Sequence, residues 1–138
     1  MNKKIFIKTD NGNYSINIEP NSIIKNLNKI ITNNNKLVFI IDKKVFYIFK
    51  KLKNYKKYNY ININCSEKIK SFEYYSSLSE RILNFGIDRN TKIVVIGGGA
   101  LGDLCGFIAS TILRGIDLIL FPTTLLSQVD SSIGGKNG

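Results

Sequence analysis

The chain has 138 residues, 43% of them hydrophobic, enough for one domain with a real core. Its formal charge of +10 rests mostly on lysine, with Arg81, Arg89 and Arg114 as the arginines, and it contains no histidine. A histidine general base, a histidine metal ligand and a Ser-His triad are therefore excluded within these residues.

Two alternating stretches, Lys4–Lys8 and Tyr14–Glu19, flank Asp10-Asn11-Gly12-Asn13. Asn-Gly tolerates positive φ, so the pattern predicts an N-terminal β-hairpin. Pro20-Asn21-Ser22 then opens an amphipathic helix with Ile23, Ile24, Leu27, Ile30 and Ile31 on one face. Leu37–Ile41 is a continuous apolar run closed by Asp42, as expected for a strand buried on both faces. Residues 43–53 carry Val45, Phe46, Ile48, Phe49 and Leu52 at helical spacing, with lysines between.

Tyr58–Asn64 alternates and predicts the next strand. A helix is expected over 71–85, with Phe72, Tyr75, Leu78, Ile82 and Leu83 inward and Gly86 as its stop. Lys92–Ile96 is a second apolar strand that runs directly into Gly97-Gly98-Gly99. A helix from about 102 to 114 ends at Gly115, and Ile116–Phe121 is a strand closed by Pro122. The order predicts an α/β domain over 1–138, an open, mostly parallel Rossmann-like sheet preceded by a hairpin, with right-handed crossovers. Ser131–Gly138 is polar and glycine-rich with no closing element, so a missing partner domain is expected.

No apolar run approaches the roughly 20 residues needed to cross a bilayer. The N-terminal segment lacks the apolar core and cleavage site of a signal peptide. Cys65 and Cys105 form no disulfide or metal framework and suit a reducing cytoplasm. A cytoplasmic protein with no membrane partner is expected. The excess of Lys, Asn and Ile reads as compositional drift under an A+T-rich genome. The competing reading is a nucleic-acid module built on Lys43–Tyr60, where lysines interleave with Phe and Tyr. Because those aromatics fall at helical spacing, they are expected in the core, and no nucleic-acid partner is expected.

Gly97-x-Gly99-x-x-Gly102 fits the dinucleotide fingerprint, with a strand before it and a helix after. Glycines let the backbone approach a pyrophosphate, and the free N–H groups of a helix start hold its charge. The usual ribose-binding acid is misplaced, since Asp117 opens its strand and reads as a solvated edge residue. Asp42, at the carboxyl end of an earlier strand, is the better candidate for a ribose hydroxyl. A helix N-cap is the plainer role for it, and the two are compatible.

The run Gly97–Phe107, then Leu113-Arg114-Gly115, then Pro122–Lys136 resembles 3-dehydroquinate synthase. Glu67-x-x-Lys70-Ser71 resembles the same family's nucleotide motif more weakly, and Cys65-Ser66 stands where the family usually has Asp-Gly. The resemblance implies an NAD-dependent lyase of the shikimate pathway, which leads to chorismate and the aromatic amino acids. Such an enzyme converts 3-deoxy-D-arabino-heptulosonate 7-phosphate to 3-dehydroquinate and phosphate, with NAD catalytic rather than consumed. It further implies a homodimer, a sugar-phosphate substrate and a divalent metal, zinc or cobalt, present only in the full-length enzyme. The family's metal ligands, one Glu and two His, lie in a helical C-terminal domain, so this chain alone is expected to be inactive.

By position, the resemblance implies that Asp42, Glu67 and Lys70 contact the adenosine side. Gly99, Ala100, Leu101, Gly102 and Asp103 form the pyrophosphate loop, with Asp103 toward the nicotinamide. Thr123 and Thr124 match a hydroxyl pair on the cofactor. Asp130 and Lys136 line substrate and nicotinamide, and Arg114 reaches across a dimer to the substrate phosphate. Plainer roles stand beside these. Thr123 and Thr124 suit a helix cap, Asp130 a turn cap, Lys136 solvent, Arg114 a helix C-terminus and Glu67–Lys70 an i,i+3 ion pair. Another sugar-phosphate cyclase, or a related metal-dependent alcohol dehydrogenase, is the alternative within the same superfamily.

Overall fold

Strands that must lie between two helical layers need apolar residues on both faces, and two segments here meet that demand. Val38–Ile41 and Ile93–Ile96 are at most 2% exposed, and they are the central strands of the sheet. The computed structural model describes residues 2–134. A hairpin of β1 (Lys3–Thr9) and β2 (Gly12–Ile18) comes first, followed by helix α1 (Ile23–Asn33). Strands β3 (Leu37–Asp42), β4 (Asn59–Ile63), β5 (Lys92–Gly97) and β6 (Asp117–Pro122) form one parallel sheet in the order β4-β3-β5-β6. Between them lie the short helix α2 (Phe46–Phe49), α3 (Phe72–Leu83) and α4 (Gly99–Thr111).

The order of strands sets the position of everything functional. The chain steps from β3 outward to β4, then returns past β3 to β5 and continues to β6. The direction of winding thus reverses between β3 and β5, and Asp42 and Gly97 end these two strands. In open α/β sheets the crevice outside such a switch point is where ligands bind.

Each face of the sheet has its own core. Phe39, Ile41, Val94 and Ile96 point to α1 and α2, where Leu27 is fully buried and Ile23, Ile24, Ile30 and Ile31 pack around it, as the periodicity predicted. Ile40, Ile61, Ile93 and Val95 point to α3 and α4. The hairpin stands as a separate two-stranded sheet, with Ile5 opposite Ile16 and Ile7 opposite Tyr14.

Several expectations are corrected. Residues 43–53 do not form one helix but a 3-10 turn at Lys43–Val45 and the single α turn of α2. β-branched and aromatic residues are weak helix formers, and here burial decides instead. Phe39, Phe46, Tyr55, Tyr58 and Tyr60 gather around Phe49, with Phe39 and Phe49 ring centres 4.9 Å apart. The aromatics of the lysine-rich stretch are thus largely spent on the core, with Tyr47 the exposed exception.

Phe72 and Leu83 were expected inward on α3 but are 82% and 42% exposed. At roughly 100° per residue Leu83 lies about 90° from the centre of the stripe formed by Tyr75, Leu78, Ser79 and Ile82, whereas Phe72 lies within about 20° of Ser79 at the stripe's edge and, as the first residue of the helix, is left uncovered. α4 begins at Gly99 rather than 102 and stops at Thr111. Leu113 and Arg114 then turn with φ of 51° and 68°, and Gly115 follows at 96°.

The exposure difference on α3 has a measurable consequence. Ile82→Ala should lower the unfolding free energy by about 2–5 kcal/mol, and Phe72→Ala by at most about 0.5 kcal/mol. Urea denaturation of the two variants measures both.

Candidate functional site

Three consecutive glycines end β5 and open α4, and each is hemmed in. A Cβ on Gly97 would lie 2.9 Å from Leu101 Cδ2 and 3.3 Å from Asp42 Cβ. One on Gly98 would lie 3.1 Å from Thr124 Cγ2, and one on Gly99 would lie 2.9 Å from Ser131 Oγ. No side chain caps the start of α4 at Gly98. The first N–H groups of that helix therefore have neither an intrahelical partner nor a side-chain cap, and they face the crevice.

The crevice is a cleft of about 500 Å³, within the range of ligand sites. Of the residues singled out in the sequence, Asp42, Glu67, Lys70, Gly99, Ala100, Leu101, Asp103, Thr124 and Asp130 line it. Leu101 is fully buried, so its side chain belongs to the core. Gly102 lies outside the cleft, where a Cβ would come 3.9 Å from Leu120; it packs α4 against β6. Thr123 also stays outside and anchors the chain, its N–H donating to the Gly97 carbonyl at 2.9 Å. Lys136 lies outside the described residues.

Arg114 is exposed beyond the carboxyl end of α4, and the cleft is at the amino end. A helix of this length puts about 20 Å between them. Within one chain Arg114 does not join the other site residues. Asp117 behaves as a solvated edge residue, paired to Lys92 at 3.0 Å.

Asp42 takes the capping role considered for it and also lies on the cleft. Its Oδ1 accepts from the Lys44 N–H at 3.0 Å, capping the 3-10 turn, while the residue lines the cleft. Thr124 caps as well: its Oγ1 accepts from the Ser127 N–H at 3.2 Å, and Ser127 Oγ accepts from the Thr124 N–H at 3.3 Å. The chain then forms a π turn over Ser127–Ser131, the kind of local distortion that recurs at functional sites. Ser127 and Ser131 thereby reach the glycine loop, and neither was singled out in the sequence. The spacing of Thr124 and Ser127, three apart like a capping box, was the available sign.

Two charged contacts shape the rim. Lys70 Nζ lies 2.7 Å from Asp103 Oδ2 and 3.4 Å from Glu67 Oε2. Its hydrogen bond to Asp103 holds the Lys70 ammonium above lysine's ordinary range. Cys65 also lines the cleft, with Sγ 3.6 Å from the Ile63 carbonyl. Burial, the Asp42 carboxylate and a hydrogen bond to it push the Cys65 thiol up to about 12. Burial also raises Cys105, so neither thiol is an activated nucleophile near neutral pH. Among the described residues no three His, Cys, Asp or Glu side chains gather as a metal site. No described helix is long and apolar enough to cross a membrane.

Comparison with known proteins gives this geometry a lineage. The family model for the 3-dehydroquinate synthase N-terminal region matches residues 60–138. The chain belongs to the 3-dehydroquinate synthase family. The 3-dehydroquinate synthase of Thermoplasma volcanium is 53% identical over 78 residues, covering 56% of this chain and 22% of that protein. That of Picrophilus torridus is 52% identical over 90 residues, covering 61% and 27%. The chain thus spans about a quarter of the length of these family members.

Among solved structures, 2-deoxy-scyllo-inosose synthase complexed with carbaglucose-6-phosphate, NAD+ and Co2+ superposes with a TM-score of 0.74 at 26% identity. That match covers 95% of this chain and 37% of the other. The 2-epi-5-epi-valiolone synthase of Streptomyces hygroscopicus, with NAD+ and Zn2+ bound, gives 0.68 at 26% identity, covering 79% and 32%.

The raised thiol fixes the sign of a pH effect in this member of the dehydroquinate synthase family. Between 9.0 and about 12 the folded chain keeps a proton on Cys65 that the unfolded chain has lost. Stability held by the neutral thiol is whole below that window and is lost as pH rises through it. The urea midpoint of Cys65→Ala should therefore fall less steeply than that of the unaltered chain between about pH 8.5 and 10.5. Parallel slopes would show that Cys65 contributes nothing there.

Proposed function

We propose that this chain forms the NAD+-binding part of a 3-dehydroquinate synthase, acting on 3-deoxy-D-arabino-heptulosonate 7-phosphate to give 3-dehydroquinate and phosphate. One observation carries the cofactor reading. A glycine-walled, uncapped helix start opens beside Asp42 at the switch point of a parallel sheet, onto a cleft of ligand size. Identity of 52–53% to dehydroquinate synthases over the 78–90 residues that align supports this substrate.

NAD+, when bound, supplies reversible hydride transfer to and from a carbinol of the substrate. The chain's own residues bind and orient. The N–H groups of the first turn of α4 hold the diphosphate, and a side chain at Gly98 or Gly99 would fill the space that this approach needs. Asp42, fixed by its bond from the Lys44 N–H, accepts from a ribose hydroxyl. Glu67 lies on the same wall, toward adenosine. Thr124 lies against the loop from the opposite side, and its hydroxyl, tied to Ser127, limits where the cofactor rests.

Asp130 is exposed at the rim, and in this reading it meets substrate or nicotinamide. Arg114, remote from this cleft, suits the phosphate of a substrate bound in a second subunit, so the working enzyme is a dimer in this reading. The described residues do not fit a divalent metal, and no step is assigned to one.

The test is an isothermal titration of the chain with NAD+. Saturable binding is expected, and Gly99→Val should abolish it by closing the space under Ser131. An unaltered chain that does not bind, or a Gly99→Val chain that binds equally well, would overturn the reading.

A further inference from the structure

The cleft has the wrong charge for its proposed ligand. Of the ten acidic residues in the chain, four line it: Asp42, Glu67, Asp103 and Asp130. Lys70 is the one cationic side chain lining it among the described residues. A dinucleotide brings a doubly anionic diphosphate to this place. Helix N–H dipoles favour it, yet Asp103 sits only four residues into α4, about 6 Å along the axis from Gly99. Asp103 is 8% exposed, so water screens its charge poorly. Two anions at such a separation repel by far more than exposed charges do.

Lys70 answers that problem by position. It comes from the turn after β4, on a different element, and places its ammonium 2.7 Å from Asp103 while touching the exposed Glu67 at 3.4 Å. The Asp103 contact is the closer of the two and the one shielded from solvent.

Resting on the dinucleotide reading above, we propose that Lys70 is a positioning residue whose charge cancels that of Asp103, so that an acidic cleft can accept the cofactor's diphosphate. The alternative is that Lys70 acts only as a direct contact to the adenosine half. The two differ in what Asp103 does to the effect of losing Lys70. If Lys70 works through Asp103, its removal matters only while Asp103 is charged. If it touches the cofactor itself, its removal matters equally whatever stands at 103.

The experiment is a double-mutant cycle of Lys70→Met and Asp103→Asn, read by NAD+ titration calorimetry, with adenosine as a probe that has no diphosphate. Lys70→Met alone should weaken NAD+ binding about tenfold or more, and in the Asp103→Asn background by no more than about twofold. Adenosine binding should be unchanged by Lys70→Met, and Lys70→Arg should keep NAD+ affinity. Equal losses in both backgrounds, or a matching loss for adenosine, would overturn the proposal while leaving the cofactor reading intact. Failure of the unaltered chain to bind NAD+ would overturn both.

Discussion

The architecture depends on the absence of side chains at Gly97, Gly98 and Gly99. Four segments converge there: the end of β3 through Asp42, the first turn of α4 through Leu101, the chain after β6 through Thr124, and the π turn through Ser131. Each comes to about 3 Å of where a Cβ would be, closer than packed carbon atoms allow. Any side chain at these positions would separate the strand from the helix or the loop from the turn. The glycines therefore serve packing, and in the proposed reading the same bareness admits the ligand. Close approach of the elements also brings Asp42 and the helix start to a common cleft.

Legibility in the sequence followed burial on two faces. β3 and β5 were readable because a strand between two layers must be apolar throughout, and Val38–Ile41 and Ile93–Ile96 are. The α1 face was readable because Ile23, Ile24, Leu27, Ile30 and Ile31 obey one period and meet one core. Residues 43–53 obeyed a helical period equally well, yet Phe46 and Phe49 reach the aromatic cluster beside Phe39 by means of tight turns. Periodicity describes which residues go inward; it does not describe how the backbone takes them there. Phe72 shows the converse, a large apolar residue at nearly the right spacing on a helix whose covered stripe is narrower than its apolar one.

The site was legible where it is contiguous and illegible where it is not. Gly97–Asp103 and the chain after β6 lie in unbroken runs, and their meeting was expected. The Lys70–Asp103 pair joins residues on two elements separated by all of α3 and β5, and nothing in local spacing announces it. Local spacing pointed instead to Glu67–Lys70, which the structure contains as the longer and more exposed contact. A surface pair of that kind contributes little, whereas a partly buried carboxylate left without its cation is costly. The energetically weightier of the two partners was thus the one hidden by sequence distance.

Charge tells the same story at the scale of the whole chain. The net charge of +10 suggested an anionic partner, but every described lysine and arginine except Lys92 is exposed. Apart from Lys70, the exposed lysines add solubility and a diffuse attractive field for anions without lining the cleft. The acidic residues are fewer and concentrated, four of ten on one cleft wall or rim. Compositional drift toward lysine can change a solvated face freely, because no packing opposes it. It cannot freely add or remove a charge beside Asp103, where burial makes each one count. The informative quantity is therefore not the sum of charges but the local balance around Lys70, where among the described residues one cation and four carboxylates line the cleft.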